Sequence, residues 1–423
     1  MSTIKQITAR EILDSRGYPT LEAKLFLDTG ESVYAQAPSG ESLGKFEGTE
    51  LRDRSDSRYS GMGVLRAASY INDLIGPKLV GVDVTRQTDI DAWLVKADGS
   101  KDSSKLGVNT IMTVSQLVLK GAAAANKQPI YRYFNSLYNS QFEEKITLEK
   151  MPSPVINMIN GGKHGTKNLE FQEFHIIPST SLSFAKALEV GASLYLAVKN
   201  VLEYRNAGIS VSEEGGFTPN LLTNSDALEV MRETVISQKM NLGVDVFFGL
   251  DCAPSYYYKK GKYEIKDMPQ PLDLDEYVNF MVELVNKYTI LFLEDPIDEE
   301  DYDGWKKIME KTGEKTYVVG DDFVAGNKER LGKAIKENAC NSILVKFNQV
   351  PTISDILTYV NMIKKANYKV VFSHRLGETT DTIIADLAVA IQADFVKFGA
   401  PVRGERVAKY NRLLEIEKEL TNG

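Results

Sequence analysis

The feature that most restricts this chain is a short apolar run that ends on a titratable residue and then recurs. Ile343 to Val345 runs straight into Lys346. Val246 to Leu250 runs into Asp251, Tyr288 to Leu293 into Glu294, and Tyr317 to Gly320 into Asp321. Lys369 to Ser373 runs into His374, and Ala393 to Val396 into Lys397. Short apolar runs of this kind read as buried strands. From Asp251 to Lys397 the steps are 43, 27, 25, 28 and 23 residues. A strand–helix unit takes about 30 residues when a barrel of about 250 residues holds eight of them. Six strands would then deliver six titratable groups at one end, the end where such barrels build active sites.

A chain of 423 residues exceeds the size at which single cores split. Two domains are expected. Ile4 to Ile12, Thr20 to Leu27 and Ser32 to Ala37 read as three strands divided by the turns Asp14-Ser-Arg-Gly17 and Asp28-Thr-Gly30. Residues 62–137 have helical periodicity, with Val64, Ala67, Ala68 and Ile71 on one face and Leu106, Ile111, Val114 and Leu117 on another. The polar stretch 138–150 places a boundary, giving an α+β cap over 1–138 and an α/β barrel over 139–423. After Pro152 the chain is expected to alternate strands and helices, starting with strands Val155 to Ile159 and Glu173 to Pro178 and a helix from Phe184 to Arg205.

The net charge of −8, with no long basic run, excludes nucleic acid as the main partner. No apolar run approaches the roughly 20 residues of a membrane span. Cys252 and Cys340 are too few for a disulfide framework and read as small core residues. The N-terminal residues show no apolar signal core, and a cytoplasmic location is expected.

Asp251, Glu294 and Asp321 at neighbouring strand ends would repel one another, and a hard divalent cation resolves that. Few carboxylates with room for water and substrate oxygens suit magnesium better than calcium. Asp295 and Asp322 follow as outer partners of the site or as surface acids. Lys346 and Lys397 are expected near the cation and near each other. Neighbouring positive charge lowers a lysine pKa, and a lysine brought towards neutrality can take a proton from a carbon next to a carboxylate. Asn160-Gly-Gly-Lys-His164, Gln172 and Glu173 supply polar groups after a strand. Glu213 and Glu214 precede two glycines, and paired acids in different environments can divide into acid and base. Residues 39–48 hold three glycines in ten and read as a mobile loop. Of the three histidines, His175 lies in an apolar run and reads as a core residue. His374 sits beside Arg375, whose guanidinium suits a phosphate or carboxylate.

These residues closely resemble the enolase family. The likeness runs from Ile12-Leu-Asp-Ser-Arg-Gly17 to Glu405-Arg-Val-Ala-Lys-Tyr-Asn411. Glu214-Gly-Gly-Phe, Glu294-Asp-Pro, Lys346-Phe-Asn-Gln349, Ser373-His-Arg and Lys397-Phe-Gly-Ala-Pro401 carry it together. A lysine or histidine base beside one or two magnesium ions is the known solution in the enolase superfamily. The resemblance implies an enolase-type α/β barrel with an N-terminal α+β cap, and a reversible dehydration of 2-phosphoglycerate to phosphoenolpyruvate with Mg2+. It implies that Asp251, Glu294 and Asp321 ligate one magnesium and that Ser42 helps bind a second, substrate-linked one. Lys346 would be the base at carbon 2. Glu214 would assist departure of the carbon 3 hydroxyl, supported by Glu173. Lys397 would hold the carboxylate, Gln172, His164 and His374 would line the site, and Arg375 would hold the phosphate. A homodimer or an octamer of dimers is the family habit, and some members also occur at the cell surface or outside the cell.

The sequence departs from the family at the loop and the phosphate end. The loop reads Ser39-Gly-Glu41-Ser-Leu43-Gly44, with Glu41 for alanine and Leu43 for threonine, and Leu376 stands where the family has a phosphate-contacting serine. Elsewhere Phe398, Glu213, Pro351 and Tyr18 replace the usual residues. A lost hydroxyl to a charged oxygen costs about 1.5–3 kcal/mol. Two other readings follow: a paralogue acting on a different carboxylate substrate, and a non-catalytic binding protein. Retention of all the charged catalytic positions opposes the second, and the C-terminal Thr421-Asn-Gly423 gives no support to a receptor mode that needs a terminal lysine.

Overall fold

The structure is a computed structural model that describes residues 2–40, 47–55 and 57–422. It divides into two compact units. One comprises Met1–Lys150, Lys346–Met362 and Ser373–Ala393, and the other Met151–Val345, Ile363–Phe372 and Asp394–Gly423.

In the first unit, β1 (Ile4–Leu13), β2 (Pro19–Leu27) and β3 (Ser32–Gln36) form an antiparallel sheet in that order. Alternation in β2 buries Leu21, Ala23, Leu25 and Leu27, as one covered face requires. The helix Val108–Ala125 is buried along nearly its whole length. Its Ile111, Val114 and Leu117 share a core with Val64, Ala67, Ala68 and Ile71, with Leu106 packed at the edge. The helical stretch is broken: Tyr70–Ile75 forms a π-helical turn between Leu65–Ser69 and Gly76–Leu79. Asp91 ties this unit together. Its carboxylate accepts from Ser115 Oγ at 2.6 Å, Ser354 N at 3.0 Å and Ser354 Oγ at 2.7 Å. Burial raises the Asp91 pKa, and these hydrogen bonds oppose the rise.

The second unit carries most of a closed eight-stranded barrel. Its strands are β4 (Ser153–Asn160), β5 (Glu173–Pro178), β6 (Val246–Asp251), β9 (Ile290–Glu294), β10 (Tyr317–Gly320), β11 (Ser342–Lys346), β12 (Lys369–Ser373) and β13 (Phe395–Lys397). A small ribbon, β7 (Tyr258–Lys259) and β8 (Lys262–Tyr263), follows β6. Capping boxes at Thr223/Asp226 and Asp273/Glu276 start the helices Asn224–Ser237 and Leu274–Tyr288, each satisfying backbone N–H groups of a first turn.

Strict alternation of strand and helix does not hold at the start of the barrel. β4 pairs antiparallel with β5, and β5 antiparallel with β6. A parallel neighbour needs a crossover of a dozen or more residues, usually a helix. Between β4 and β5 the only helical piece is the single turn Gly162–His164, so the chain returns directly. Two helices, Phe184–Tyr204 and Asn224–Ser237, then separate β5 from β6.

The barrel interior is filled by a layer from Val155, Ile177, Phe292, Val319, Leu344, Val371 and Phe395, with Phe247 packed against it. Side chains two residues apart share a strand face. The same inward face therefore carries Asn157, Glu294 and Lys397 one step nearer the carboxyl ends. Reversed β5 brings Glu173, its first residue, opposite Asp251, the last residue of β6. Truncating this layer should be costly. Phe292→Ala is expected to lower the unfolding free energy by about 3–5 kcal/mol in denaturant titrations; a loss below about 1 kcal/mol would mean that the layer is not the core.

Candidate active site

Within the second unit, Lys397 Nζ stands among carboxylates. It lies 3.0 Å from Asp251 Oδ2, 2.9 and 2.7 Å from the two Glu294 oxygens, and 3.4 Å from Glu173 Oε1. All four residues are buried. Gln172 Nε2 donates to Asp251 Oδ2 at 3.0 Å. Burial and the neighbouring Asp251 carboxylate push Glu294 well above the usual carboxylate range; Lys397 opposes the shift, and Asp321 and Glu173 add to it. Burial disfavours the Lys397 ammonium, but Asp251, Glu173 and Glu294 outweigh it and raise the lysine pKa well above its ordinary value. Its nearest charges are anions, and it is held as a cation.

Asp295, a residue of undecided role from sequence, is buried. Its carboxylate accepts the backbone N–H of Asp321 at 2.9 Å and of Asp322 at 2.8 Å. It thereby fixes the turn after β10 that carries Asp321. Burial, then the Asp321 and Asp322 charges, raise the Asp295 pKa well above normal.

A second group lies around His164. Its Nδ1 is 3.2 Å from Glu173 Oε1 and 3.2 Å from Glu214 Oε2. Burial disfavours the imidazolium, yet the Glu214 and Glu173 carboxylates prevail and raise its pKa to about 10. Burial likewise works against the Glu173 carboxylate, but Lys397, His164 and His175 hold its pKa well below normal. Glu213 is exposed and Glu214 buried, so the paired acids do occupy different environments. Glu214 N donates to Ser212 Oγ at 3.1 Å, and Ser212 Oγ donates to Asn160 Oδ1 at 2.9 Å. Asn157 Nδ2 approaches Glu214 Oε2 at 3.4 Å. A β-carbon on Gly216 would collide with Asn160 Oδ1, so only glycine lets this loop lie against β4. Sequence reading takes Asn160 only as one of the polar groups after a strand, and does not single out Asn157 or Ser212. The readable signal was two asparagines inside an otherwise apolar strand.

Among the described residues, two sets each bring ligand-type atoms within 4.8 Å of one another: His164, Glu173 and Glu214, and Asp295, Asp321 and Asp322. The first set already contains a cation, since His164 is charged at neutral pH. Around Glu294 the balance is different. Asp251, Glu294 and Glu173 share the one ammonium of Lys397; burial first, and then the Asp251 charge, raise the Glu294 pKa. Oxygen donors with unbalanced negative charge fit a hard divalent cation.

In the first unit, Arg375 is buried and its Nη2 lies 2.7 Å from Glu47 Oε2. Gln349 Nε2 donates to Glu47 Oε1 at 3.1 Å. Gly40 packs against the guanidinium so closely that a β-carbon there would overlap Arg375 Nη2. The guanidinium is thus poised to hold an anion, and in this structure a carboxylate occupies part of its fork. Glu47 lies within the 39–48 loop, and nothing in the sequence pairs it with Arg375. His374 is buried and Leu376 half-buried. Lys346 ends β11. Ser42, Glu41 and Leu43 lie outside the described residues.

The raised His164 pKa sets a pH dependence. The folded protein binds this proton more tightly than the unfolded chain does. Stability from the contact is complete below the ordinary value of 6.5 and is lost as pH rises through about 10. The His164 ring resonances are expected to titrate with a midpoint near 10 by NMR; a midpoint near 6.5 would show that the two carboxylates do not act on the ring.

Two family models match the chain. The N-terminal domain of enolase matches residues 4–134, and the enolase C-terminal TIM barrel domain matches residues 148–423. With nearly the whole length covered, and with a closed barrel whose carboxyl end gathers buried acids around a lysine, this chain belongs to the enolase family.

Proposed function

We propose that this protein is a magnesium-dependent enolase that interconverts 2-phosphoglycerate and phosphoenolpyruvate. The observation that carries the reading is the buried carboxylate group around Lys397, joined through Glu173 to the Glu214–His164 pair at the same barrel end. Residues 1–138 act as a cap and 139–423 as the catalytic barrel. Asp251, Glu294 and Asp321 are the groups that would hold Mg2+. When bound, that ion supplies positive charge for the carboxylate oxygens of the substrate as negative charge builds up on them.

The remaining work falls to side chains. Lys346 takes the proton from carbon 2. The carbon 3 hydroxyl leaves as water with a proton from the Glu214 group, where His164 and Glu173 hold Glu214 in place. Lys397 pairs with the substrate carboxylate, exchanging one carboxylate partner for another. Gln172 and His374 line the site, and Arg375 receives the phosphate, with the Glu47 carboxylate giving way to it. Ser42 helps hold a second, substrate-linked ion. The protein works in the cytoplasm, as a dimer or an octamer of dimers.

Purified protein with magnesium is expected to form phosphoenolpyruvate, and Lys346→Ala to lose about 10²–10⁴-fold in kcat, the usual worth of a general base. Wild-type turnover no higher than that of the variant would sink the proposal. Magnesium at about 100 times its dissociation constant is expected to stabilise the fold by about 2.7 kcal/mol, and Asp321→Asn to lose most of that gain in thermal unfolding. An equal gain in both proteins would place the ion elsewhere. A second reading, a paralogue using another carboxylate substrate, is favoured by Leu376 beside Arg375. Under it, Glu41→Ala, Leu43→Thr and Leu376→Ser together raise turnover of 2-phosphoglycerate; an unchanged rate counts against it.

A further inference from the structure

His175 is a buried titratable group for which the proposed reaction has no use. It lies on β5, two residues from Glu173 and two from Ile177, so all three side chains share the inward face. The ring is fully enclosed and meets Phe292 edge-on, with ring centroids 6.0 Å apart. Its two nitrogens are treated differently. Nε2 lies 2.9 Å from Glu173 Oε2. Nδ1 is buried and has no hydrogen-bond partner among the described residues. An apolar side chain would fill this place without burying an unsatisfied nitrogen. The one thing it would not supply is the N–H to Glu173.

That N–H divides the Glu173 carboxylate. Oε2 is taken by His175, which leaves Oε1 to face His164 Nδ1 at 3.2 Å and Lys397 Nζ at 3.4 Å. The terminal torsion of a glutamate is broad and two-fold, so without a fixed donor the carboxylate has little to set its plane. We propose that His175 is a positioning residue: its Nε2–H holds Glu173 Oε2 and thereby aims Oε1 at both His164 and Lys397. The tautomer follows. An ionised carboxylate has no proton to give, so the ring nitrogen that faces it, Nε2, carries a proton. His175 touches no substrate atom and acts only through Glu173. The inference rests on the reading of Glu173 as part of the group that serves the leaving hydroxyl.

Three variants of the full chain separate the hydrogen bond from mere packing. His175→Gln can present an N–H at the reach of Nε2, His175→Asn carries the same amide too short to do so, and His175→Leu has no donor. With 2-phosphoglycerate and magnesium, kcat is expected to fall about 10-fold or more in the Leu and Asn variants, the scale seen when a partner orienting a site ligand is removed. KM should stay within about twofold, and Gln should restore most of the rate. Wild-type kcat in Leu or Asn, or a Gln variant as slow as Leu, overturns the proposal. If Leu fails to fold, the Gln and Asn pair still decides it. Long-range ¹H–¹⁵N spectra of the wild type give a readout without substrate, with only three histidines to assign. The His175 ring should carry a proton on Nε2, and an Nδ1–H tautomer overturns the proposal. A protein that turns over no 2-phosphoglycerate would refute the enolase reading, while the ring spectrum would still decide whether His175 donates to Glu173.

Discussion

Burial of more carboxylates than one lysine can neutralise is the constraint on which the catalytic end of this barrel depends. A lone buried charge is costly, and a buried pair is tolerated only with close geometry and further hydrogen bonds. Here Lys397 spreads its three donors over Asp251, Glu294 and Glu173, and Gln172 supports Asp251. One ammonium among three carboxylates still leaves positive charge in short supply, and burial together with the Asp251 charge raises the Glu294 pKa. An arrangement left in deficit is a receptor for a cation. The same deficit accounts for the neighbouring devices. Asp295 spends its oxygens on the backbone of Asp321 and Asp322, which fixes where one more acid stands.

Strand periodicity supplies these groups. The apolar layer from Val155 to Phe395 lies two residues below the charged ends, so one repeating pattern builds both the core and the site. The reversed strand β5 contributes differently. Because it runs against β4 and β6, its first residue reaches the end that the other strands reach with their last. Glu173 meets Asp251 for that reason. His175 then occupies the level between site and core, where one ring edge contacts Phe292 and one nitrogen contacts Glu173.

Much of this was legible in the chain. Apolar runs ending on Asp251, Glu294, Asp321, Lys346, His374 and Lys397 recur at barrel spacing, and the first three strands and the helix beginning at Phe184 read directly from alternation and periodicity. Less legible were residues whose role depends on a partner far away in sequence. Glu47 is ordinary until Arg375 is placed beside it, 328 positions away. Asn157 and Asn160 become supports only when the Glu214 loop folds back onto β4. The three carboxylates within reach of Lys397 likewise meet it only once the barrel closes.

The sequence by itself determined the alternation of buried strands, the charged residue at the end of each, and the membership of the family. These follow from local period and residue type, which every short segment carries within itself. Only the tertiary structure decided that β5 runs backwards, that Lys397 is a cation among acids, that His164 holds its proton to about pH 10, and that His175 has one satisfied nitrogen and one unsatisfied. Each of these depends on distances between strands and on exclusion of water. Both arise only when the barrel closes.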